Sequence, residues 1–291
     1  MNQEKEIGIV IVTFNRKKLL LHTLRAIAGQ TYENYRVFII DNASTDGTEE
    51  YIAEFLQENK KFMYKRMQTN TGGAGGFHEG VKIAYQENVD YVWGMDDDAV
   101  PEKNALQVLV ETAEKTKEKV CLVSYTTNNL AESNLQIIRE KETELILKEH
   151  FLFLGFFVSK ELIGEIGYPR KDLFIYFDDI DYSKRAKTAG YKIYKVRDSF
   201  IQHPDMMLNS KKFTFLGKKF DVQEMPKWKW YYYMRNAQLV FPRNLSENKQ
   251  FHKSLLKKLI GVLIAYPKCF KAAFCGYVDG IHGKSGKSDK F

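Results

Sequence analysis

The chain has 291 residues, of which 44% are hydrophobic and 14% aromatic, so it can bury a core and is not an intrinsically disordered protein. Its net charge of +7 is concentrated in lysines from Lys211 onward, which indicates an anionic partner near the C-terminal region, either phospholipid or nucleic acid. The longest apolar run, residues 259–266, is far shorter than the ~18 residues of a membrane span, so we expect no spanning helix.

The first predicted unit is a strand followed by a helix. Residues 7–14 read IGIVIVTF, a run rich in β-branched side chains that indicates a buried strand. The helix after it is predicted from an apolar face with helical spacing, and we expect it to end at Gly29. That face consists of Leu20, Leu24, Ile27 and Ala28.

The strand and helix unit then repeats. A strand over residues 36–44 precedes a helix, at whose start Asp46 and Glu49 are spaced like a capping box. A third strand, near residues 63–68, is followed by the glycine-rich segment TNTGGAGGF, predicted as a loop, and by a helix over about 77–87.

A fourth strand, YVWGM at residues 91–95, runs into three consecutive aspartates. Apolar strands that alternate with helices predict an α/β fold with a mostly parallel sheet covered on both faces. Ligands of such sheets bind at the carboxyl ends of the strands, where the polar and glycine-rich segments all lie. The sequence therefore predicts a binding site at that edge.

The second half of the sequence is less regular. An aromatic run occupies residues 151–158, and a helix is predicted from about Asp179 to Ala189, where Gly190 ends it. From about residue 226 the composition becomes aromatic and basic, and residues 255–274 predict a small helical appendage.

The aspartates after the fourth strand are the strongest chemical signal. Adjacent carboxylates repel one another and are costly to desolvate, so a strand end tolerates them best when a cation neutralises them. Asp96 and Asp98 are therefore candidate ligands of one divalent ion. The alternative is an acidic surface turn, which the apolar strand before them makes less favourable.

Other polar residues at the strand ends are candidates for nucleotide binding. Thr13 and Asn15 follow the first strand and Asp41 ends the second, although each could also be an ordinary helix cap or turn former. The glycines between residues 72 and 76 could bring backbone close to a phosphate or ribose, or form a flexible turn. They do not fit the G-x-G-x-x-G fingerprint, which argues against a Rossmann dehydrogenase.

Taken together, the motifs resemble glycosyltransferase family 2. The matching segments are TFNR at 13–16, IIDNASTDGT at 39–48, NTGGAGGF at 70–77, MDDDAVP at 95–101, FIYFDDIDYSKRAKTAGY at 174–191, QHP at 202–204 and YYYMRN at 231–236. They cover most of the chain and are most similar to those of bacterial galactofuranosyltransferases and rhamnosyltransferases. The resemblance implies a GT-A type fold and a metal-dependent, inverting transfer of a sugar from a nucleotide diphosphate to a hydroxyl of a growing glycan.

The resemblance also implies roles for individual residues. Asp179 would be the catalytic base, although acids at the start of that helix could simply favour its dipole. The implied metal ligands, for Mn²⁺ or Mg²⁺ on the diphosphate, are Asp96, Asp98 and His203. The implied nucleotide-sugar-binding residues are Thr13, Asn15, Asp41, Asn70, Gly75, Asp97 and Asp178. Asp41 would contact the uracil or thymine edge, and His203 taken alone could be a loop residue.

The implied reaction needs little beyond these groups. One carboxylate takes the proton of the attacking hydroxyl, and one cation stabilises the departing diphosphate, which suffices for a single displacement with inversion. The donor predicted from the motifs is UDP-galactofuranose, with dTDP-rhamnose as the alternative, and the acceptor is lipid-linked or a polysaccharide of bacterial cell-surface glycan synthesis. The alternative of another class is a nucleotide-binding module without transfer activity. A nucleic-acid partner is not expected, because no RNP or zinc pattern occurs.

These considerations divide the chain. We predict a GT-A catalytic domain over residues 1–225, with a nucleotide-sugar half over about 1–120 and an acceptor half over about 121–225, and a C-terminal helical region over 226–291. Residues 253–274 mix leucine and isoleucine with lysine, which is typical of a segment that lies on an anionic membrane. The same segment could instead pack on the catalytic domain or on a second copy of the chain in a homo-oligomer.

The first residues and the cysteines bear on location. MNQEKEIGIV has two glutamates and no apolar run before a cleavage signal, so we expect no targeting segment. Cys121, Cys269 and Cys275 match neither a zinc site nor a disulfide framework, which favours a reducing compartment. We therefore expect a cytoplasmic protein, peripheral on the inner face of the cytoplasmic membrane.

Overall fold

The computed structural model of the chain describes residues 4–204, 209–242 and 245–290, without the side chain of Glu247. These residues fall into two units. Unit 1 comprises residues 4–170 and 179–204, and unit 2 comprises residues 171–178, 209–242 and 245–290. The helical region expected over 226–291 belongs to unit 2, and the domain boundary at residue 225 stays a prediction.

Unit 1 is built on one mixed sheet. Its strands in the described residues are β1 (Ile7–Thr13), β2 (Tyr35–Asp41), β3 (Phe62–Arg66), β4 (Tyr91–Asp96), β5 (Val100–Pro101), β6 (Val120–Thr127), β7 (Leu145–Lys148), β8 (Phe156–Ser159) and β9 (Lys192–Gln202). Their order is β3-β2-β1-β4-β8-β6-β9-β5, with β7 paired to β9. Strands β3, β2, β1 and β4 run parallel, as do β6 and β9, whereas β8 is antiparallel to both its neighbours. The prediction of an α/β fold with a mostly parallel sheet is confirmed.

Helices cover both faces of this sheet. They are α1 (Lys17–Ala28), α2 (Thr48–Glu58), α3 (Gly72–Gln86), α4 (Ala105–Lys115), α5 (Glu132–Lys141), α6 (Lys160–Ile166) and α7 (Asp178–Thr188). One buried core lies between the sheet and α1, α2 and α4, and another between the sheet and α3, α6 and α7. The carboxyl ends of β1, β2, β3 and β4 consequently meet at one edge, as the alternating sequence pattern predicts.

Unit 2 is a hairpin with three helices. It contains β10 (Ser210–Phe215), β11 (Lys218–Gln223), α8 (Lys227–Val240), α9 (Lys249–Ala265) and α10 (Pro267–Ile281). The hairpin was not predicted, although its two-residue turn, Leu216 and Gly217, has the positive φ values of a tight hairpin turn. Within the described ranges, no helix is both long and apolar enough to cross a bilayer.

Two local predictions, for α1 and for the start of α2, are wrong. Ala28 is exposed, and Thr23 takes its place on the buried face of α1, because the face follows the inward stripe of Leu20, Leu24 and Ile27. Asp46 does not form a capping box, since Gly47 is the N-cap residue of α2 in a left-handed conformation. The Asp46 carboxylate instead accepts hydrogen bonds from the Thr48 hydroxyl and the Lys17 amide.

The glycine-rich segment is part of a helix and not a loop. A Cβ atom on Gly76 would lie 2.4 Å from Val12 Cγ1, and one on Gly80 would lie 2.2 Å from Val10 Cγ1. A Cβ on Gly75 would lie 2.2 Å from the hydroxyl oxygen of Thr71, which precedes α3. Gly76 and Gly80 therefore allow α3 to approach β1 closely, which explains why a helix accepts residues of low helical propensity.

The close approach of α3 to β1 predicts different outcomes for two glycine substitutions. Gly80→Ala forces Val10 to move, whereas Gly73→Ala meets nothing within 4 Å of the new Cβ. Gly80 is in the interior of α3 and Gly73 is its second residue, so Gly80→Ala gains at least as much helical propensity. Gly80→Ala should nevertheless be less stable than Gly73→Ala, by about 1–3 kcal/mol, because of the steric cost. Urea unfolding of both variants measures it, and equal stability would contradict the packing role of Gly80.

Candidate active site

The aspartates at the end of β4 are compensated by groups from other elements of unit 1. Asp97 is buried, and one of its carboxylate oxygens accepts a hydrogen bond of 2.7 Å from the Thr13 hydroxyl. The Arg16 guanidinium reaches the other Asp97 oxygen at 3.2 Å and Asp98 Oδ2 at 2.9 Å. The Thr23 hydroxyl donates to the Asp97 carbonyl at 2.8 Å. The sequence did not indicate Arg16 or Thr23 as parts of this cluster.

His203 lies on the opposite side of the cluster. Its amide donates to the Thr127 carbonyl, which continues the pairing of β9 with β6 and places the residue at the sheet edge. His203 Nε2 lies 3.2 Å from Asp98 Oδ1, and this contact raises the pKa of the imidazole above its usual value. Strand β9 thereby brings His203 to the sheet edge, next to Asp98.

The electrostatics of the cluster suit a cation. Burial, followed by the charges of Asp97 and Asp98, raises the pKa of Asp96 to about 7. Asp98 Oδ1 is buried, and no hydrogen-bond donor among the described residues is well aligned with it. A carboxylate oxygen of this kind is a preferred ligand of Mg²⁺ or Mn²⁺.

The possible ligand set is incomplete without a substrate. In the described part of the chain, no three histidine, cysteine, aspartate or glutamate side chains form a metal-binding group by themselves. Asp96, Asp98 and His203 nevertheless offer two carboxylates and one imidazole at a single strand edge. This fits Mg²⁺-type sites, which use one or two carboxylates and take the remaining ligands from water and substrate phosphates.

A polar cleft of about 670 Å³ lies at the carboxyl ends of β2 and β3. It is lined by Lys17, Asp41, Ser44, Thr45, Gly47, Thr48, Glu49, Glu50, Tyr51 and Arg66. The buried Asp41 accepts a 2.8 Å hydrogen bond from the Ser44 amide and another from the Tyr64 hydroxyl. Since each carboxylate oxygen already has one donor, a nucleobase would contact Asp41 through the remaining lone pairs.

The other residues implied in nucleotide binding have structural contacts. The Asn15 side chain accepts a 2.7 Å hydrogen bond from the Thr45 amide, and Asn70 accepts one of 2.8 Å from the Gly72 amide at the start of α3. Gly75 is buried inside α3. Their contact with a nucleotide sugar stays a prediction, as does that of Thr13 and Asp97.

Several cleft residues were missed from the sequence. Lys17 and Arg66 are cations in a cleft next to a carboxylate cluster, and Tyr64 contacts Asp41 directly. Asn42 links β2 to α3, because its side chain donates to the Gly72 carbonyl and accepts from the Thr71 amide. The motif DNAST contained Asn42, but its partners depend on the placement of α3.

Asp179 lies in the first turn of α7. Its Oδ1 accepts a 2.7 Å hydrogen bond from the Ile180 amide, and its carbonyl accepts one from the Ser183 hydroxyl. Burial raises the pKa of Asp179 to about 6, and the nearby His150 imidazole acts in the opposite direction. Among the contacts of the described residues, none joins Asp179 to the carboxylates at the end of β4. Asp178 is buried and belongs to unit 2.

The segment before these two aspartates has an unusual backbone within unit 2. Phe174, Tyr176 and Phe177 all have φ between 65° and 67°, a left-handed conformation that non-glycine residues rarely adopt. The side-chain amide of Asn236 donates to the carbonyls of Leu173, Ile175 and Tyr176 at 2.7, 2.8 and 3.0 Å. The buried Arg235 donates to the carbonyls of Asp172 and Leu173.

Arg235 and Asn236 thus form a clamp on residues 171–178, which gives the YYYMRN motif a structural role that the sequence alone did not indicate. Asn236 is fully buried, and its amide group serves carbonyls that helix formation cannot satisfy. Arg235 and Asn236 thereby hold residues 171–178 in the conformation from which α7 starts.

A family model described as "Glycosyl transferase family 2" matches residues 8–167, more than half of the chain. Among curated relatives, the poly-beta-1,6-N-acetyl-D-glucosamine synthase of Staphylococcus aureus (strain COL) is 29% identical over 202 residues, or 64% of this chain and 47% of that protein. The aligned part thus spans about half the length of this relative.

Two solved structures share the fold. A mannosyltransferase from Pyrobaculum calidifontis, PcManGT, in complex with GDP-Man and Mn²⁺, has a TM-score of 0.58 and 15% identity, covering 94% of this chain and 74% of that one. S. aureus TarS 1-349, in complex with UDP, has a TM-score of 0.51 and 19% identity, covering 67% of this chain and 59% of that one. At these identities the likeness supports the GT-A fold.

The clamp on residues 171–178 predicts a stability effect. Asn236→Ala removes this donor from the half-buried carbonyls of Ile175 and Tyr176, whereas the Leu173 carbonyl keeps Arg235, and should lower the free energy of unfolding by about 1–3 kcal/mol. Asn236→Asp should lower the free energy of unfolding by at least as much at neutral pH, because it points a carboxylate at the carbonyl oxygens. Thermal and urea unfolding measure both, with the exposed Gln136→Ala as control; unchanged stability of both variants would argue against the clamp.

Proposed function

Because the chain belongs to glycosyl transferase family 2, we propose that it transfers a sugar, with inversion, from a nucleotide diphosphate to a hydroxyl group of a bacterial cell-surface glycan. The observation that carries the proposal is the convergence of Asp96, Asp98 and His203 at the sheet edge that also bears a polar cleft. The complexes of PcManGT with GDP-Man and Mn²⁺ and of TarS with UDP support a nucleotide-sugar donor.

In this proposal the strand-end cluster holds the donor diphosphate. Asp96, Asp98 and His203 would hold Mn²⁺ or Mg²⁺, which when bound stabilises the charge of the departing nucleotide diphosphate. Arg16 adds positive charge beside Asp97 and Asp98. The Thr13 hydroxyl fixes the Asp97 carboxylate, so that the cluster is already oriented before the donor binds.

The cleft next to the cluster would take the nucleoside. Asp41 lies at its base, and Lys17 and Arg66 provide cationic groups on its walls. Aspartate and backbone groups at successive strand ends are suited to a base edge and a ribose. The motifs favour UDP-galactofuranose, with dTDP-rhamnose as the alternative donor. Thermal unfolding in the presence of a panel of nucleotide sugars and Mn²⁺ distinguishes them, because only a bound donor raises the melting temperature.

Asp179 would act as the general base. Its position in the first turn of α7 and its raised pKa make the carboxylate a stronger proton acceptor than an exposed aspartate. The proton would pass from the acceptor hydroxyl to this carboxylate as the hydroxyl oxygen attacks the sugar and the nucleotide diphosphate leaves. Asp178 would bind a hydroxyl of the donor or acceptor. A nucleotide-binding module without activity would not require such a base.

The outer face of α9 supports association with an anionic membrane. Its exposed apolar side chains are Leu256, Ile260, Leu263 and Ile264, and its exposed cations are Lys253 and Lys257. The opposite face, with Leu255, Leu259 and Val262, is buried, so the outer apolar stripe is not needed for the core of unit 2. An apolar stripe beside lysines is suited to the surface of a lipid bilayer, where a lipid-linked acceptor resides.

The first prediction of the proposed function concerns the metal. Asp96→Ala or Asp98→Ala should lower Mn²⁺-dependent turnover by at least about 10²-fold, because the ion that stabilises the leaving diphosphate loses a ligand. UDP binding measured by calorimetry should weaken, while the fold persists, since both side chains are only half-buried and lie outside the hydrophobic core. Asp221→Ala, at an exposed position of β11, is the control. Full activity of either variant in EDTA would falsify the metal assignment.

The second prediction concerns the base. Asp179→Asn should lower kcat by about 10²–10⁴-fold and leave UDP affinity unchanged. Because the base must be deprotonated, kcat/KM of the unaltered chain should rise with pH through the pKa of about 6 and level off above it. Asp178→Asn, at the adjacent position, is the comparison variant. Normal turnover of Asp179→Asn together with loss in Asp178→Asn would transfer the role to Asp178.

The third prediction concerns the membrane. Changing Leu256, Ile260 and Leu263 together to Gln should reduce binding to vesicles that contain anionic phospholipid by at least about tenfold. Turnover on a lipid-linked acceptor should fall more than turnover on a soluble one. Ile137→Gln, an exposed apolar position of unit 1, is the control.

Point changes are preferable to removal of residues after 250, because α10 packs on α8. Unchanged vesicle binding would favour a protein contact on this face.

A further inference from the structure

A second cavity of unit 1, of about 240 Å³, has no part in the proposed donor site. It lies among β6, β9 and the segment that follows β7. Its polar side chains are Ser124, Thr126, Lys148, His150 and Lys195, and Phe151 and Leu154 belong to its apolar wall. Its volume is below the roughly 300–1,000 Å³ of sites for whole small molecules, so it suits one charged group of a larger ligand.

Strand pairing brings the two lysines of this cavity together. In the antiparallel pair of β7 and β9, Lys195 is opposite Ile146 and Lys148 is opposite Ile193. Because side chains alternate along a strand, both lysines are on one face of the sheet, as diagonal neighbours. Like charges in this arrangement repel, and burial together with the Lys148 charge lowers the pKa of Lys195.

The charge of the two cavity lysines is largely uncompensated, whereas His150 lies near the Glu149 and Asp179 carboxylates. Within the ranges that the structure describes, no carboxylate lies within ion-pair distance of either lysine amine, and Glu142 has only a weaker influence on Lys195. Lys195 instead lies over the Tyr125 ring, 4.6 Å from its centroid. Two ammonium groups in a concave, partly apolar site attract an anion much more strongly than the same groups on an open surface.

Two lining residues of the cavity, His150 and Phe151, link it to the proposed base. His150, in its wall, is close enough to Asp179 to influence the pKa of that carboxyl. The next residue, Phe151, donates its amide to the Ser183 hydroxyl at 3.0 Å, and Ser183 donates to the Asp179 carbonyl at 2.8 Å. A ligand in the cavity therefore lies beside the first turn of α7.

We propose that this cavity binds a phosphate group of the acceptor, through the amines of Lys148 and Lys195 and the imidazole of His150. The inference rests on the proposed function, because it takes Asp179 as the group that receives the proton of the acceptor hydroxyl. The acceptor class is then a phosphate-bearing glycan or polyol and not a neutral oligosaccharide. Its phosphate belongs either to a phosphodiester in a polymer or to the diphosphate of a lipid carrier.

The direct test follows acetylation of the lysines of the intact chain by acetic anhydride, with peptide mass spectrometry. UDP and Mg²⁺ are kept saturating, so that phosphate does not enter the donor site. Compared with chloride at equal ionic strength, inorganic phosphate at twice its dissociation constant should slow acetylation of Lys148 and Lys195 about threefold. The exposed Lys117, before the amino end of β6, should react equally in both salts.

Two further probes identify the source of the phosphate. Stronger protection by dimethyl phosphate supports a phosphodiester polymer, and stronger protection by geranyl diphosphate supports a lipid-linked acceptor. If Lys148 and Lys195 are acetylated as fast in each of the phosphate solutions as in chloride, the phosphate site is overturned. UDP binding, measured by calorimetry on the same protein, separates the two proposals. If UDP does not bind, the proposed function is wrong. If UDP binds but phosphate does not protect the lysines, only the phosphate site is wrong.

A variant without the two lysine charges tests which side chains bind the phosphate. Phosphate should protect His150 from diethyl pyrocarbonate in the unaltered chain and in Lys117→Gln, but not in the double variant Lys148→Gln, Lys195→Met. Continued protection of His150 in the double variant would show that the lysines are not the anion ligands and would overturn the proposal. The melting temperature of each variant reports whether it folds, and the acetylation of the unaltered chain decides the question if the double variant does not.

Discussion

Mutual repulsion among the carboxylates at the end of β4 is the constraint that organises unit 1. Its relief requires Thr13 at the end of β1, Arg16 before α1 and His203 after β9, groups that come from two distant parts of the sequence. The compensation therefore depends on the register of the whole sheet. A shift of β9 by one residue would turn His203 to the other face and leave Asp98 with less positive charge.

The sequence predicted β1 to β4, α1, α2 and α7 because hydrophobic periodicity is a local property, whereas β5 to β8 and α4 to α6 were not predicted. It failed where tertiary packing overrides local preference. Glycines at residues 72–76 favour a loop by propensity, yet Gly76 allows α3 to lie close to Val12, as Gly80 does to Val10. The hairpin of β10 and β11 was missed because its lysines obscure the alternation, and only the burial of Phe220 and Val222 on one strand reveals it.

The candidate site was predictable where it is carried by contiguous motifs. The aspartates after β4 and His203 are examples, and the structure brings His203 to Asp98. Arg16, Tyr64 and Arg66 could not be assigned in the same way. Their roles depend on which strands are neighbours, since the Tyr64 hydroxyl reaches Asp41 only through the parallel pairing of β3 with β2. The lysines of the second cavity likewise meet only through the pairing of β7 with β9.

The clamp on residues 171–178 has a consequence for synthesis on the ribosome. Arg235 also donates to the carbonyl of Gly286, and the Tyr232 hydroxyl accepts from the amide of Ser288. At about 5–20 residues per second, the ribosome needs roughly 5–20 s to proceed from residue 178 to residue 286. During that interval Phe174, Tyr176 and Phe177 have no completed core to enter, so nascent chains expose an aromatic, aggregation-prone segment until the last of its partners emerges.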